Sequence, residues 1–541
     1  MTTLASRMVC AGCGAEAADP YPFRCPRADA GDDIDHVLTR TLVGTSAADP
    51  VAPPFTAAIS ALAQPLGTTG AAPVAPPFTA AISALAQPLG TTGAAPVAPP
   101  FTAAISALAQ PLGTTGAAPV APPFTAAIST TGAAPVAPPF RAAPPESLHF
   151  LTPVTGPNPF LEFRTLFHSY HLASAHGMSD ADYVRIVEDL NEAVALVDGH
   201  GFVITPFARH SGLSARIGST AAGGVWIKNE TGNVSGSHKG RHLMGLMIYL
   251  QVIERLGIVE PPLPPLAIAS CGNAALAAAI IARAARRHLR VFIPTNAPAR
   301  VVDRLVQLHA EQTICPRDPD VAGDPCYLSF RETIGSGALP FCCQGNENGL
   351  TIEGGETLAY EIIAKATPLD RVFIQVGGGA LASSVIQAFG DALAAGVLER
   401  LPRFHAVQTR GAYPLARAYD LVADRVARSG DAGRELRYAA AHRSEFMWPW
   451  EEEPHSIAHG ILDDETYDWL AVVKGMLESG GHPIVVDEAG LAEAHALAQA
   501  ATGINVDPTG AAGLAGLLHL HRQGQIAPNE RVAAIFSGAE R

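Results

Sequence analysis

The chain has 541 residues and a formal net charge of −14, with 48% hydrophobic and 16% charged residues. That length and balance fit a folded, enzyme-sized protein with room for more than one domain, and exclude a disordered chain. The acidic surplus argues against nucleic acid or an anionic membrane as partner, and the longest apolar runs, such as AALAAAIIA at 274–282, fall short of a membrane span.

The N-terminal MTTLASRMVCAGCG lacks the apolar core of a signal peptide, and the eight cysteines read as reduced thiols or metal ligands, which places the protein in the cytoplasm. Residues 1–40 carry Cys10, Cys13 and Cys25 in the run CAGCGAEAADPYPFRCP. C-x-x-C-G is a knuckle turn that lets two thiolates reach one zinc ion, and a tetrahedral site needs four ligands. Ala28 stands where a second C-x-x-C would end, so His36 is the candidate fourth ligand. Two readings stay open: a zinc-ribbon-like extension holding zinc, or a remnant with free thiols.

Residues 41–147 contain VAPPFTAAIS beginning at Val51, Val74, Val97 and Val120, then VAPPFRAAP at Val136; the first three intervals are 23 residues and the last 16. A solenoid would show differentiated inner and outer faces. These units match letter for letter, carry a Pro-Pro pair each and have almost no charge, so they read as a disordered, recently expanded linker.

From 148 to 541, helical patterns alternate with short β-rich runs. SDADYVRIVEDLNEAVALVD at 179–198 reads as a helix with an acidic first turn; GVWIK, LAIAS, RVFIP, RVFIQV, FHAVQT and RVAAIF read as strands. Strands separated by helices predict an α/β fold with parallel sheets, whose ligands bind beyond the carboxyl ends of the strands. Four loops there are chemically unusual: NETGNVSGSHK after GVWIK, CGNAALAAA after LAIAS, GGGALASSV after RVFIQV, and SGAER after RVAAIF. Singly, each has a bland explanation as a turn, a cap or a solvated lysine.

In this order they resemble the fold type II pyridoxal-phosphate enzymes of the tryptophan synthase β-subunit superfamily, and within it the threonine synthase and threonine dehydratase group. Asn233-Val234-Ser235-Gly236-Ser237-His238-Lys239 is similar to the family's lysine motif, and Ser270-Cys271-Gly272-Asn273 to its S-x-G-N loop. Gly377-Gly378-Gly379-Ala380-Leu381 is similar to its phosphate loop, Ser537-Gly538-Ala539-Glu540 to its last segment, and IEGGETLAYEI at 352–362 to a threonine synthase stretch. The resemblance covers 200–541. It implies two three-layer αβα domains with the cofactor between them, the smaller at about 245–345 inserted in the larger.

The resemblance also implies that Lys239 is the catalytic residue, forming a Schiff base with pyridoxal 5'-phosphate. Gly377, Gly378, Gly379, Ala380 and Leu381 would cradle the phosphate at a helix start, where glycine permits close approach. Asn273 would meet the ring oxygen and Ser537 the ring nitrogen, while Ser270, Cys271, Gly272 and Asn273 would bind the substrate carboxylate. Arg241 is a candidate ligand for a substrate phosphate, or else a salt bridge on the helix surface. Ala380 replaces a glycine, and His238 and Gly240 depart from the family pattern beside the lysine.

The expected reaction is elimination or replacement on a small amino acid, with O-phosphohomoserine to threonine and phosphate first and ammonia release from threonine or serine second. A homodimer is expected. Two other classes compete. Gly377 to Ala382 also satisfies the G-x-G-x-x-A dinucleotide fingerprint of an NAD(P)-binding oxidoreductase, but FHAVQT ends in Gln408 and Thr409 where that motif needs an acid. An inactive adaptor built around the cysteine knuckle leaves the lysine and the triple glycine unexplained.

Overall fold

Chain order explains how three sheets arise. The computed structural model describes residues 4–18, 20–29, 31–44, 156–317, 323–365 and 368–541; the repeats lie outside the described residues. β1 (Leu4–Cys10), β2 (Glu16–Ala17) and β3 (Leu38–Gly44) form an antiparallel sheet in the order β2-β1-β3, so the extension runs past residue 40. The chain then lays down β4 (Phe207–Arg209) and β5 (Gly224–Asn229). It next builds an all-parallel four-stranded sheet from β6 (Leu266–Ala269), β7 (Leu289–Pro294), β8 (Glu311–Cys315) and β9 (Leu339–Pro340), in the order β8-β7-β6-β9. It returns with β10 (Arg371–Gln375), β11 (Arg403–Thr409), β12 (Ile484–Val486) and β13 (Arg531–Phe536). These complete the sheet β12-β11-β10-β13-β5-β4, in which only β4 is antiparallel.

The large sheet is buried on both faces, which is why its strands read as continuous apolar runs. Val372, Ile374, Ala533 and Ile535 pack into one core while Phe373, Val407, Val532 and Ala534 pack into a second, on the opposite side of the pleat. The first core also takes in Met8, Cys10, Phe23, Cys25 and Leu38 from the N-terminal segment. That segment is therefore part of the catalytic body's packing. Arg40 on β3 is buried, with Nη2 at 2.5 Å from Glu356 and 2.7 Å from Asp391.

Helix Asp180–Asp198 matches the acidic pattern: Ser179 caps it by accepting from the Asp182 N–H, and Gly199 ends it at φ 89°. Helix Lys239–Arg255 crosses helix Thr351–Ala364 so closely that a Cβ on Gly245 would come 2.8 Å from the Gly354 Cα. This crossing packs the lysine's helix against the IEGGETLAYEI helix. No helix among the described residues is long and apolar enough to cross a membrane.

Candidate active site

The four loops singled out in the sequence follow β5, β6, β10 and β13, at the carboxyl ends of parallel strands. Lys239 is the first residue of its helix, and the turn before it is pinned from several sides. Asn233 donates through Nδ2 to Glu230 at 2.7 Å and accepts from the Val234 N–H at 2.8 Å. Ser235 and Gly236 both adopt left-handed backbone, at φ 61° and 62°. Ser237 bridges to Gly538, and the His238 N–H donates to the Ser537 carbonyl at 2.9 Å. The lysine motif and the last strand's exit are thus held side by side.

Asn273 opens helix Asn273–Ala284, and a Cβ on Gly538 would lie 2.9 Å from its Nδ2, so the amide faces the same exit. Ser537 is buried, and its Oγ lies 2.5 Å from Gln375 Nε2. Ser270 turns its hydroxyl into its own loop, 3.4 Å from the Gly272 N–H. Burial pushes the Cys271 thiol up, which suits packing rather than nucleophilic attack.

Helix Ala380–Ala394 starts from Gly379 at φ 99° with no side-chain cap. The N–H groups of Ala380, Leu381 and Ala382 find no protein acceptor among the described residues, although all three residues are buried. The fold gives the glycines a physical reason beside the expected one. A Cβ on Gly377 would come 2.2 Å from Asp463 Oδ2, one on Gly378 2.8 Å from the Tyr467 ring, and one on Gly379 2.9 Å from Thr466 Cγ2. Here the triple glycine admits the protein's own segment 461–468. Thr466 donates to the Gly377 carbonyl at 2.8 Å, and the Asp468 N–H to the Gly378 carbonyl at 3.0 Å.

Two carboxyls of that segment escaped the sequence reading, because an acidic run with no period looks like solvated surface. Burial pushes Asp463 up to about 6 against the pull of Lys239, and pushes Asp468 up to about 7. Burial and the Lys239 charge hold His238 neutral, with its Nδ1 at 3.1 Å from the Ser537 carbonyl. Lys239 itself is half-buried, and its Nζ makes no ion pair or hydrogen bond with the described residues.

Arg241 corrects both of its expected roles. It is fully buried, and its five N–H donors meet five protein oxygens. Nε reaches Glu230 at 2.7 Å, Nη1 reaches Thr357 at 2.9 Å and Glu361 at 2.6 Å, and Nη2 reaches Thr205 at 3.1 Å and Glu230 at 3.0 Å. No donor is left for a substrate phosphate, and the salt bridge is not on the surface. Burial alone would raise the Glu230 carboxyl, but Arg241 and Lys228 beside it hold it down to about 2.

The sequence profile of the family described as "Pyridoxal-phosphate dependent enzyme" matches residues 200–538. The chain belongs to this family. The threonine synthases of Methanocaldococcus jannaschii and Methanosarcina acetivorans are similar to it. The first is 24% identical over 355 residues, covering 65% of this chain and 77% of that protein. The second is 25% identical over 360 residues, covering 66% and 78%. The biosynthetic L-threonine dehydratase IlvA of Haemophilus influenzae is 27% identical over 208 residues, 38% of this chain and 36% of that protein. The solved structure of the processed form of threonine deaminase isoform 2 from Solanum lycopersicum aligns with TM-score 0.49 at 18% identity, over 68% of this chain and 91% of that one.

Membership of the family makes the chain a pyridoxal-phosphate-dependent enzyme, and its residues fit that cofactor. N–H groups of buried residues with no acceptor among the described residues suit a phosphate at a helix start, and an amine with no partner among them suits an aldehyde. The dinucleotide alternative loses its acidic residue for good: Gln408 is committed to the Val376 carbonyl at 3.3 Å and to the Ala416 N–H at 3.0 Å.

Proposed function

We propose that this enzyme is a lyase that eliminates or replaces a group on a small amino acid, with O-phosphohomoserine to threonine and phosphate as the leading reaction. The observation that carries the reading is the gathering of Lys239, Asn273, the N–H groups of 380–382 and the Ser537 hydroxyl beyond four strand ends. The two similar threonine synthases and the IEGGETLAYEI helix support the substrate.

When bound, pyridoxal phosphate supplies an aldehyde for an amine and an electron-withdrawing ring that eases loss of the substrate α-proton. Lys239 Nζ would hold the cofactor through that aldehyde and would be the base for the substrate α-proton. The N–H groups of Ala380, Leu381 and Ala382 would hold the phosphate, and Asn273 would orient the ring. Ser537 Oγ accepts from Gln375, which leaves its own proton to donate to the ring nitrogen. A hydroxyl there keeps the ring a weaker electron sink than a carboxylate would, which suits elimination. The Ser270 to Asn273 loop binds the substrate carboxylate.

Ammonia release from threonine or serine is the second reading, and Arg241 favours it. A phosphorylated substrate needs a cation, and this one is consumed by Glu230 and Glu361. Phosphate release from O-phosphohomoserine, measured beside 2-oxobutanoate formation from threonine, separates the two. Activity on neither would remove both. The proposal includes a cytoplasmic homodimer, and light scattering of the purified full chain checks the dimer.

A further inference from the structure

Cys10, Cys13, Cys25 and His36 lie outside the chemistry above, yet the fold brings their ligand atoms together. All four atoms lie within 4.8 Å of one another. Cys10 Sγ is 3.5 Å from His36 Nδ1, and Cys13 Sγ is 3.5 Å from Cys25 Sγ. A tetrahedron with metal–sulfur bonds of about 2.3 Å and a metal–nitrogen bond of about 2.0 Å has edges of roughly 3.5–3.8 Å, so these two separations already match such edges, and the 4.8 Å bound on the rest lets a small side-chain adjustment complete the shell.

The surroundings are those of a metal site. His36 Nε2 lies 2.8 Å from Asp32 Oδ2, an arrangement that puts the ring proton on Nε2 and turns the Nδ1 lone pair toward the three sulfurs. The backbone N–H groups of Cys13 and Arg27 point at Cys10 Sγ and Cys25 Sγ, each at 3.4 Å, and stabilise thiolate charge there. Gly14 takes the left-handed conformation, φ 71°, that the knuckle turn requires. A donor set of three thiolates and one imidazole selects zinc over the harder divalent ions.

The segment closed by this cluster leads to the glycine loop. Asp35, next to His36, is buried and accepts from Trp469 Nε1 at 3.2 Å, while its N–H donates to the Ala440 carbonyl at 2.8 Å. The neighbouring Asp33 accepts from the N–H and hydroxyl of Ser444, at 2.7 and 2.9 Å. Trp469 begins helix Trp469–Ser479, and the residue before it, Asp468, donates its N–H to the Gly378 carbonyl. Four consecutive links therefore join His36, Asp35, Trp469, Asp468 and Gly378.

We propose that Cys10, Cys13, Cys25 and His36 bind one zinc ion, which braces the 33–36 segment against Trp469 and so positions the 461–468 segment behind the glycine loop. His36 and Asp35 are positioning residues, since neither touches the reacting atoms. The metal-binding part stands by itself; the bracing part rests on the proposed cofactor site.

Zinc content of the purified full chain after desalting tests the first part without reference to the cofactor. One zinc per chain is expected, with a cobalt-substituted form showing the thiolate charge-transfer and visible bands of a tetrahedral site. Less than a tenth of an equivalent, with no cobalt spectrum on reconstitution, would overturn it and leave free thiols. The second part is read from the dissociation constant of pyridoxal phosphate by absorbance titration. Stripping zinc from the native chain with a strong chelator, or the Cys13→Ser substitution, should weaken cofactor binding at least ten-fold. Should Cys13→Ser fail to fold, the chelated native chain supplies the comparison. His36→Cys, which keeps four ligands, should retain both zinc and cofactor affinity. Unchanged affinity in the zinc-free protein would overturn the brace, and failure of both native and stripped chains to bind the cofactor would count against the proposed function while leaving the zinc count as it stands.

Discussion

Gln375 Nε2 and Ser537 Oγ lie 2.5 Å apart at the ends of β10 and β13, so one strand's last side chain orients the hydroxyl that follows the other. The same amide nitrogen also reaches the carbonyls of Gly510 at 3.1 Å and Ile535 at 3.0 Å, sharing two protons among three oxygens. An amide nitrogen only donates, which is why Ser537 keeps its own proton for another partner.

Gln375→Leu should therefore lower kcat about two- to thirteen-fold, the effect of losing one neutral hydrogen bond of about 0.5–1.5 kcal/mol. Unfolding free energy should fall by about 1–3 kcal/mol, because buried carbonyls lose their donor. Steady-state kinetics at saturating cofactor, with urea unfolding alongside, check both. An unchanged kcat would show that the serine needs no orientation.

Removing Arg241 should act on stability before it acts on substrate. Arg241→Met leaves Glu230 and Glu361 buried with Lys228 as their one remaining cation among the described residues, a loss of about 3–5 kcal/mol. A variant with unaltered urea midpoint but a raised KM for a phosphorylated substrate would return Arg241 to the substrate-binding role.

Gly378 offers a test of what the triple glycine is for. The three atoms nearest to a Cβ there are side-chain atoms of Tyr467 and Asp463. Gly378→Ala should weaken cofactor binding about ten-fold, and adding Tyr467→Ala in the same chain should restore most of it. Absence of rescue in the double variant would mean that the cofactor, not the 461–468 segment, demands the glycine.

His242 sets a pH dependence whose sign follows from its burial. Burial and the Lys239 charge hold its imidazole down to about 3, with Nδ1 donating to the Thr351 carbonyl at 2.8 Å. An exposed histidine protonates near 6.5. Between those values the unfolded chain binds more protons, so this group's contribution is complete above pH 6.5 and is lost progressively as pH falls toward 3. The share lost between pH 7.5 and 5 is about 2 kcal/mol. His242→Asn, which keeps the donor to Thr351, should show a flatter decline in urea unfolding over that range. An identical slope would place the acid sensitivity elsewhere.

The α/β class and the four loops are legible in sequence for a definite reason. Parallel strands buried on both faces, such as RVFIQ and VAAIF, leave uninterrupted apolar runs, and the residues beyond them stand out as glycine, serine, asparagine and lysine. What stays hidden depends on partners distant in the chain. Arg241 looks like any helix-surface cation until Glu230 and Glu361 close around it. Asp463 and Asp468 look solvated until the fold lays them on the glycine loop. Arg40 gives no hint in sequence that it will be buried against Glu356 and Asp391, and with it the packing of the N-terminal sheet onto the catalytic body.

The central claim is that Lys239 is the residue joined to pyridoxal phosphate. Borohydride reduction of the cofactor-loaded full chain, followed by peptide mass mapping, tests it most directly. The pyridoxyl mass should appear on Lys239 and nowhere else. Its appearance on another lysine, including the fully buried Lys228 that Glu361 holds, or the absence of any pyridoxyl peptide, would contradict the account.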